Sequence, residues 1–176
     1  MDEDVFGLAL DYFVVKEIKK GDFLLKEGKV CHQIAYIEKG LFRTYFLKDG
    51  NEVNTCFCME DSITLSHKSF VNRVASTEYI QAIEDAKVVT LSYDNLIKLY
   101  QLDYAWQSLS NVLTERECIR LSERINAMSF ETAKEKYLHL LEKQPEIIQR
   151  VSIQHIASYI GVSRETVSRI RSKILL

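Results

Sequence analysis

At 176 residues, the chain is long enough to bury roughly two-thirds of the surface exposed by its unfolded form, so it needs no disulfide or metal staples. Its 47% hydrophobic and 27% charged content is that of an ordinary globular protein, and its formal net charge of -2 excludes a polybasic coat for nucleic acid. No basic-then-apolar leader opens the sequence and no apolar run approaches about 18 residues, which predicts a cytoplasmic protein with no membrane partner and with Cys31, Cys56, Cys58 and Cys118 reduced.

The first eleven residues carry Asp2, Glu3, Asp4 and Asp11 without a base. Residues 12–93 then read as short β-branched and aromatic segments punctuated by Gly21, Gly28, Gly40 and Gly50, with strands predicted over residues 13–18, 23–25, 34–38, 41–47, 52–57 and 86–92. Lys48-Asp49-Gly50-Asn51 is a hairpin signal, because Asp-Gly readily takes the backbone angles of a tight turn. Short strands at regular spacing, with no long helix between them, point to an antiparallel sandwich or barrel.

The pattern changes near residue 94, where Asp94 or Asn95 can cap a helix. Apolar residues at Leu102, Ala105, Trp106, Leu109, Val112, Leu113, Ile119, Leu121, Ile125 and Met128 recur mostly at spacings of three and four, predicting one long amphipathic helix whose stripe drifts around residues 116–120. About 30 helical residues span about 45 Å, more than a small domain covers, so the seam is expected to meet a second copy of the chain. A further helix is predicted over residues 131–143, capped by Ser129, flanked by Tyr137, Leu138 and Leu141 on its inner side and stopped before Pro145.

The most informative stretch is residues 153–170. Ile156, Ala157 and Ile160 give a short apolar face, and the small Ala157 admits a close second helix. Gly161 can take the positive φ of a sharp turn. Val162 fills the corner, Ser163 caps a new helix, and Val167 with Ile170 form that helix's inner side. The expected outward face carries Arg164, Glu165, Ser168 and Arg169. From Arg150 onward there are five bases (Arg150, Arg164, Arg169, Arg171, Lys173) against one acid, Glu165. Arginine can bond bidentately to guanine and glutamate can accept from cytosine N4, while Thr166, Arg171, Ser172 and Lys173 suit phosphate oxygens. A helical hairpin with a merely solvated charged face is the alternative that these residues leave open.

Gly161-Val-Ser-Arg-Glu-Thr-Val-Ser-Arg-Ile170 resembles the recognition-helix signature of the Crp/Fnr (cyclic-AMP receptor and fumarate-nitrate regulator) transcription factors, especially their compact Bacteroidetes-type members. Upstream, Ile37-Glu-Lys-Gly-Leu-Phe-Arg43, Lys20-Gly-Asp22, Lys26-Glu-Gly28 and Tyr79-Ile-Gln-Ala-Ile-Glu-Asp85 resemble pieces of that family's sensor domain. The resemblance implies an α+β protein with an N-terminal antiparallel β-barrel (a cyclic-nucleotide-binding-like jelly roll) over residues 1–93. It also implies a dimerisation helix over residues 94–128 and a helix-turn-helix domain over residues 129–176. It implies double-stranded DNA as a partner, a homodimer through residues 94–128, and RNA polymerase as a candidate further partner. Base readout falls on Arg164, Glu165 and Arg169, and backbone contact on Ser163, Thr166, Ser168, Arg171 and Lys173.

The sequence departs from the ligand-binding members. Leu65 and Ser66 stand where the family presents Gly-Glu to a ribose, and Ser76 with Thr77 stands where it presents Arg-Ser to a cyclic phosphate. A buried phosphate without a cation is poorly compensated, and Arg73 is the nearest substitute in sequence. Cyclic AMP is therefore not expected. The candidate effector pocket comprises Phe57, Leu65, Ser66, Arg73, Ser76 and Thr77, and no cofactor is implied. Cys56 and Cys58 share one side of a strand, but two thiols do not complete a tetrahedral site, so no metal is expected. The resemblance implies a β-hairpin wing after the recognition helix in many relatives, and with six residues after Ile170 in this sequence none is expected within it. No catalytic triad, phosphate-cradling glycine loop or His-x-x-x-His helix marks an enzyme. The expected function is a sequence-specific DNA-binding transcriptional regulator not gated by cyclic AMP. The alternative is a small-molecule sensor or protein-interaction module whose helix-turn-helix does not read DNA.

Overall fold

A computed structural model describes residue 7 and residues 9–174; the acidic residues Asp2, Glu3 and Asp4 lie outside the described residues. The chain divides into two compact units. One comprises the residues up to Phe46 together with Cys56–Thr114; the other comprises Leu47–Thr55 and the residues from Glu115 onward.

Eight antiparallel strands precede the long helices: β1 (Phe13–Ile18), β2 (Phe23–Leu25), β3 (Gln33–Lys39), β4 (Phe42–Lys48), β5 (Asn51–Cys58), β6 (Ile63–Thr64), β7 (Tyr79–Ala82) and β8 (Ala86–Ser92); all lie in the first unit except the end of β4 and the first five residues of β5. They form two four-stranded sheets, in the orders β1-β8-β3-β6 and β2-β7-β4-β5. Both sheets are open. The closed β-barrel implied by the family resemblance is therefore corrected to two open antiparallel sheets. Strand length gives the physical reason. At the edges, β2 has three residues and β6 has two, too few to carry a hydrogen-bonded ladder from one sheet to the other.

Alternation sets the core. On β8, Ala86, Val88 and Thr90 are buried, and Val88 pairs with Ile37 and Thr90 with Ala35 across β3. From the other sheet, Leu25, Phe42, Ile80 and Ala82 join Ala35, Ile37, Ala86 and Val88 in one cluster, roofed by Phe70. Gly40 makes the corner after β3 possible: at φ 107°, a Cβ there would lie 2.5 Å from Ala86 Cβ, so no larger residue fits without displacement. A short helix, α1 (His67–Asn72), lies between β6 and β7; no apolar repeat announces it.

Helix α2 (Tyr93–Leu102) starts where Ser92 accepts a hydrogen bond from Asn95 N at 3.1 Å. It stops at Asp103, whose backbone is extended and whose carboxylate accepts from Ala105 N at 2.6 Å. That re-cap starts α3 (Tyr104–Phe130), a helix of 27 residues. The single helix predicted across residues 94–128 is thus two helices, broken by a side chain that satisfies the next helix's first amides.

In the second unit, α3 continues to Phe130, and Ser129 lies inside it rather than capping its successor. Helix α4 (Ala133–Lys143) is capped instead by Thr132 in a reciprocal box with Glu135. Pro145 does not merely end a helix; it occupies the first turn of α5 (Pro145–Arg150), where its missing N–H costs nothing. Two further helices follow, α6 (Ile153–Ile160) and α7 (Arg164–Ile174). Tyr137 and Leu140 of α4, Ile147 and Ile148 of α5, Ile156, Ala157 and Ile160 of α6 and Val167 of α7 are buried. Among the described residues no helix is long and apolar enough to cross a membrane.

Candidate nucleic-acid interface

Helix α6 begins at Ser152, whose hydroxyl accepts from His155 N at 3.2 Å. It ends at Gly161 in the left-handed conformation, φ 77° and ψ 35°. Val162 N then returns to Ala157 O at 3.0 Å, satisfying an end carbonyl. One residue later Ser163 receives Thr166 N at 3.3 Å, and its hydroxyl lies 3.2 Å from Thr166 Oγ1. Helix, left-handed glycine, corner valine and capped second helix follow one another in the order read from residues 153–170.

Val167 of α7 is fully buried, which turns Arg164, Glu165, Ser168 and Arg169 outward, and all four are exposed. Arg169 donates to Thr166 Oγ1 at 3.3 Å, so its guanidinium is steadied along the helix rather than buried. The Glu165 carboxyl is held below the usual carboxylate range, first by its own backbone N–H, then by the Ser163 hydroxyl, with Arg164 and Arg169 adding to the effect. Glu165 is therefore an ionised, acceptor-only group beside two five-donor cations. Of the backbone candidates, Ser163, Ser168 and Lys173 are exposed, and Thr166 and Arg171 half-buried. Helix α7 thus presents four bases and one acid on a solvent-facing surface about 16 Å long.

Three residues that the sequence pattern did not single out hold α6 in place. The Arg124 guanidinium of α3 donates to Tyr159 O and lies 3.6 Å over the Tyr159 ring. Ser158 Oγ donates to Glu52 O at 2.7 Å and accepts from Asn54 N at 3.0 Å. Glu52 and Asn54 belong to β5, at the edge of its sheet, where alternate backbone groups have no strand partner; one hydroxyl serves two of them. A lone serine on a helix gives no such signal in sequence.

In the first unit, the candidate effector residues are only partly assembled. Ser66 and Ser76 are both buried, with their hydroxyl oxygens 3.3 Å apart. Leu65 packs on the core cluster, and Phe57 is buried on β5. Thr77 is exposed. Arg73 points to other partners: its guanidinium donates to Cys31 O at 2.8 Å and Phe70 O at 3.1 Å, lies 2.8 Å from His32 Nδ1, and stacks 4.4 Å over the Tyr93 ring. The group that does meet the serines is Glu78, whose carboxylate accepts from Ser66 Oγ at 2.9 Å. Sequence reasoning missed Glu78, because the contact spans twelve residues and a helix. Among the described residues no group of three or more His, Cys, Asp or Glu side chains is arranged to hold a metal ion.

The chain matches the cyclic nucleotide-binding domain family over residues 15–103 and the crp family of bacterial regulatory proteins over residues 150–173. Among solved structures it is similar to FixK2 from Bradyrhizobium japonicum, with 20% identity, 92% of this chain and 84% of that one covered, and a TM-score of 0.79. It is similar to the c-di-GMP responsive global regulator CLP of Xanthomonas campestris, with 18% identity, coverage of 99% and 92%, and a TM-score of 0.76. The catabolite activator protein of Thermus thermophilus gives 18% identity, coverage of 99% and 84%, and a TM-score of 0.61. At these identities the likeness is one of fold. No curated protein matches the chain.

Proposed function

The chain belongs to the Crp/Fnr family of regulators that carry a cyclic nucleotide-binding domain, and on that premise we propose that it is a sequence-specific, DNA-binding transcriptional regulator. One observation carries the reading: Val167 is buried while Arg164, Glu165 and Arg169 of the same helix are exposed. That orientation offers a major groove two bidentate donors and one acceptor, the set needed to tell guanine and cytosine edges apart. Ser163, Thr166, Ser168, Arg171 and Lys173 contact phosphates and set the register.

The working form is a homodimer paired through residues 94–128, with a sensor domain over residues 1–93 and a DNA-binding domain over residues 129–176. The exposed Leu109, Val112, Ile119, Leu121, Ile125 and Met128 of α3 support that pairing, since so many large apolar side chains left in water on one helix call for a partner. Two-fold symmetry then places two copies of α7 about one DNA turn, roughly 34 Å, apart. The first domain is not gated by cyclic AMP. Glu78 supports this, because its carboxylate occupies the hydrogen-bonding side of Ser66 where an anionic ligand would need a cation. The role is regulatory and not enzymatic.

Selection of bound sequences from random duplex DNA tests the reading. The expected result is a palindromic site with two half-sites one helical turn apart. Recovery of unenriched DNA at a salt concentration where nonspecific binding is lost overturns it.

A further inference from the structure

The thiols of Cys56 and Cys58 lie 3.4 Å apart, Sγ to Sγ, on one side of β5, and both residues are half-buried. Residues two apart on a strand share a face, so the strand sets both thiols on one side, where their side chains turn toward each other. The other cysteines are placed differently: the Cys31 thiol is buried and donates to Gln33 O at 3.3 Å, and Cys118 is exposed on α3.

We propose that Cys56 and Cys58 form a hydroperoxide-oxidisable dithiol that closes reversibly to an intrastrand disulfide. One thiolate attacks the terminal peroxide oxygen. The O–O bond breaks, a sulfenic acid forms, and the departing alkoxide takes up the proton that the thiol released. The second sulfur then attacks the sulfenic sulfur; the S–S bond forms, the S–O bond breaks, and hydroxide leaves with the second thiol's proton as water. Two thiols and one hydroperoxide give one disulfide, one alcohol (water, when the oxidant is hydrogen peroxide) and one water. The sulfur pair loses two electrons and the peroxide gains them.

Two physical points favour closure over deeper oxidation. A sulfenic acid with a thiol already in contact condenses before a second peroxide arrives. In addition, Cα atoms two apart on a strand are separated by about 6.4–6.8 Å, near the upper limit of about 6.8 Å for a disulfide. Such a bridge closes with some pleat distortion and opens readily to reductants, as regulatory disulfides do.

The test treats the reduced full chain with one equivalent of hydrogen peroxide, blocks remaining thiols, and examines the tryptic peptide spanning residues 49–68, which holds both cysteines. Two of the four thiols should be lost together, with that peptide lighter by two hydrogens and restored by dithiothreitol. In Cys58→Ser, Cys56 should instead gain one oxygen as a sulfenic acid that dimedone traps, with no loss of two hydrogens from that peptide. The proposal is overturned if all four thiols survive, if Cys118 is consumed first, or if Cys56 and Cys58 in the unaltered chain gain oxygen without joining. None of these readouts involves DNA, so their failure leaves the proposed regulator intact, and failure of DNA selection leaves the dithiol intact.

Discussion

The Ser66 hydroxyl donates a 2.9 Å hydrogen bond to the Glu78 carboxylate. Ser66 is buried, the Ser76 hydroxyl lies 3.3 Å from it, and the Glu78 backbone N–H donates to Ser76 Oγ at 3.0 Å, so the two serines and Glu78 form one closed polar group. An arriving phosphate would meet a negative charge of its own sign with no cation to offset it, since the Arg73 guanidinium is committed to Cys31 and Phe70 carbonyls. Calorimetric titration with cyclic AMP should therefore show binding weaker than about 1 mM, that is, less than about 4 kcal/mol. Saturation at micromolar nucleotide would refute the exclusion. Replacing the charge and supplying a cation together, in Ser76→Arg/Glu78→Gln, should tighten nucleotide binding by roughly tenfold or more, or about 1.4 kcal/mol.

That cluster shows where sequence reasoning stops. Ser66 and Ser76 were legible as positions because a resemblance aligned them; Glu78 was not, because its role depends on a turn that brings residues 66 and 78 together. The helix-turn-helix was legible for the opposite reason. Ala157, Gly161, Ser163 and Val167 act within a few residues of one another, so spacing alone encodes their roles. The break at Asp103 carries no glycine or proline, and the aspartate that interrupts α2 looks like an ordinary helix residue until its carboxylate is seen on Ala105 N. Closure of a sheet is less legible still. It depends on how far edge strands extend, and β6 at two residues is below what any alternation pattern can reveal.

Arg169 should discriminate a base. Arg169→Ala removes one bidentate donor and leaves the buried side of α7 untouched, so specific binding should weaken by about 1–3 kcal/mol and preference relax at one base pair of each half-site. Lys173→Ala should weaken all sequences alike and lower the salt slope by about one unit. Fluorescence anisotropy over a salt series separates the two. Equal loss of specificity in both variants would contradict the assignment.

The proposed pairing through α3 places Ile119 and Ile125, 62% and 64% exposed in a single chain, at a buried seam. Ile125→Glu would bury an unpaired charge there at a cost of several kcal/mol. Sedimentation velocity should show the unaltered chain as a dimer and the variant as a folded monomer, with binding to a full palindrome falling toward that of a single half-site. A variant that stays dimeric would move the interface elsewhere.

Acid should act at two helix starts, alongside Asp85 and Glu123, which the Lys20 backbone N–H with Lys19 and the Lys143 ammonium also hold low. The Glu135 carboxyl is held below its ordinary range by the Thr132 hydroxyl first and then by the Thr132 backbone N–H; Glu165 is held low by its own backbone N–H and by Ser163. A carboxyl whose folded-state pKa is depressed stabilises the fold fully above the unfolded value, near 4.5, and loses that contribution as pH falls through the folded value. Thermal melts should thus be flat from pH 7 to about pH 5 and decline below it. Glu135→Gln should make the decline shallower. A parallel decline in the variant would mean that other groups carry the acid limb.

Gly161 joins the two helices at φ 77°, and the nearest atom to a Cβ placed there is Met128 Cε at 3.5 Å. That separation is ordinary contact, so an alanine would fit the space and any penalty must come from the backbone. A left-handed conformation costs a non-glycine residue about 1–2 kcal/mol, and Gly161→Ala should lower the denaturation free energy by that amount. Asparagine tolerates this region better, so Gly161→Asn should recover part of the loss although it is the larger side chain. The order glycine, asparagine, alanine follows from conformation alone. Crowding by Met128 would give glycine, alanine, asparagine instead, and urea denaturation of the three chains decides between them. If conformation governs, Met128→Ala should leave the difference between Gly161 and Gly161→Ala unchanged, because the strain lies in the turn and not in its neighbour.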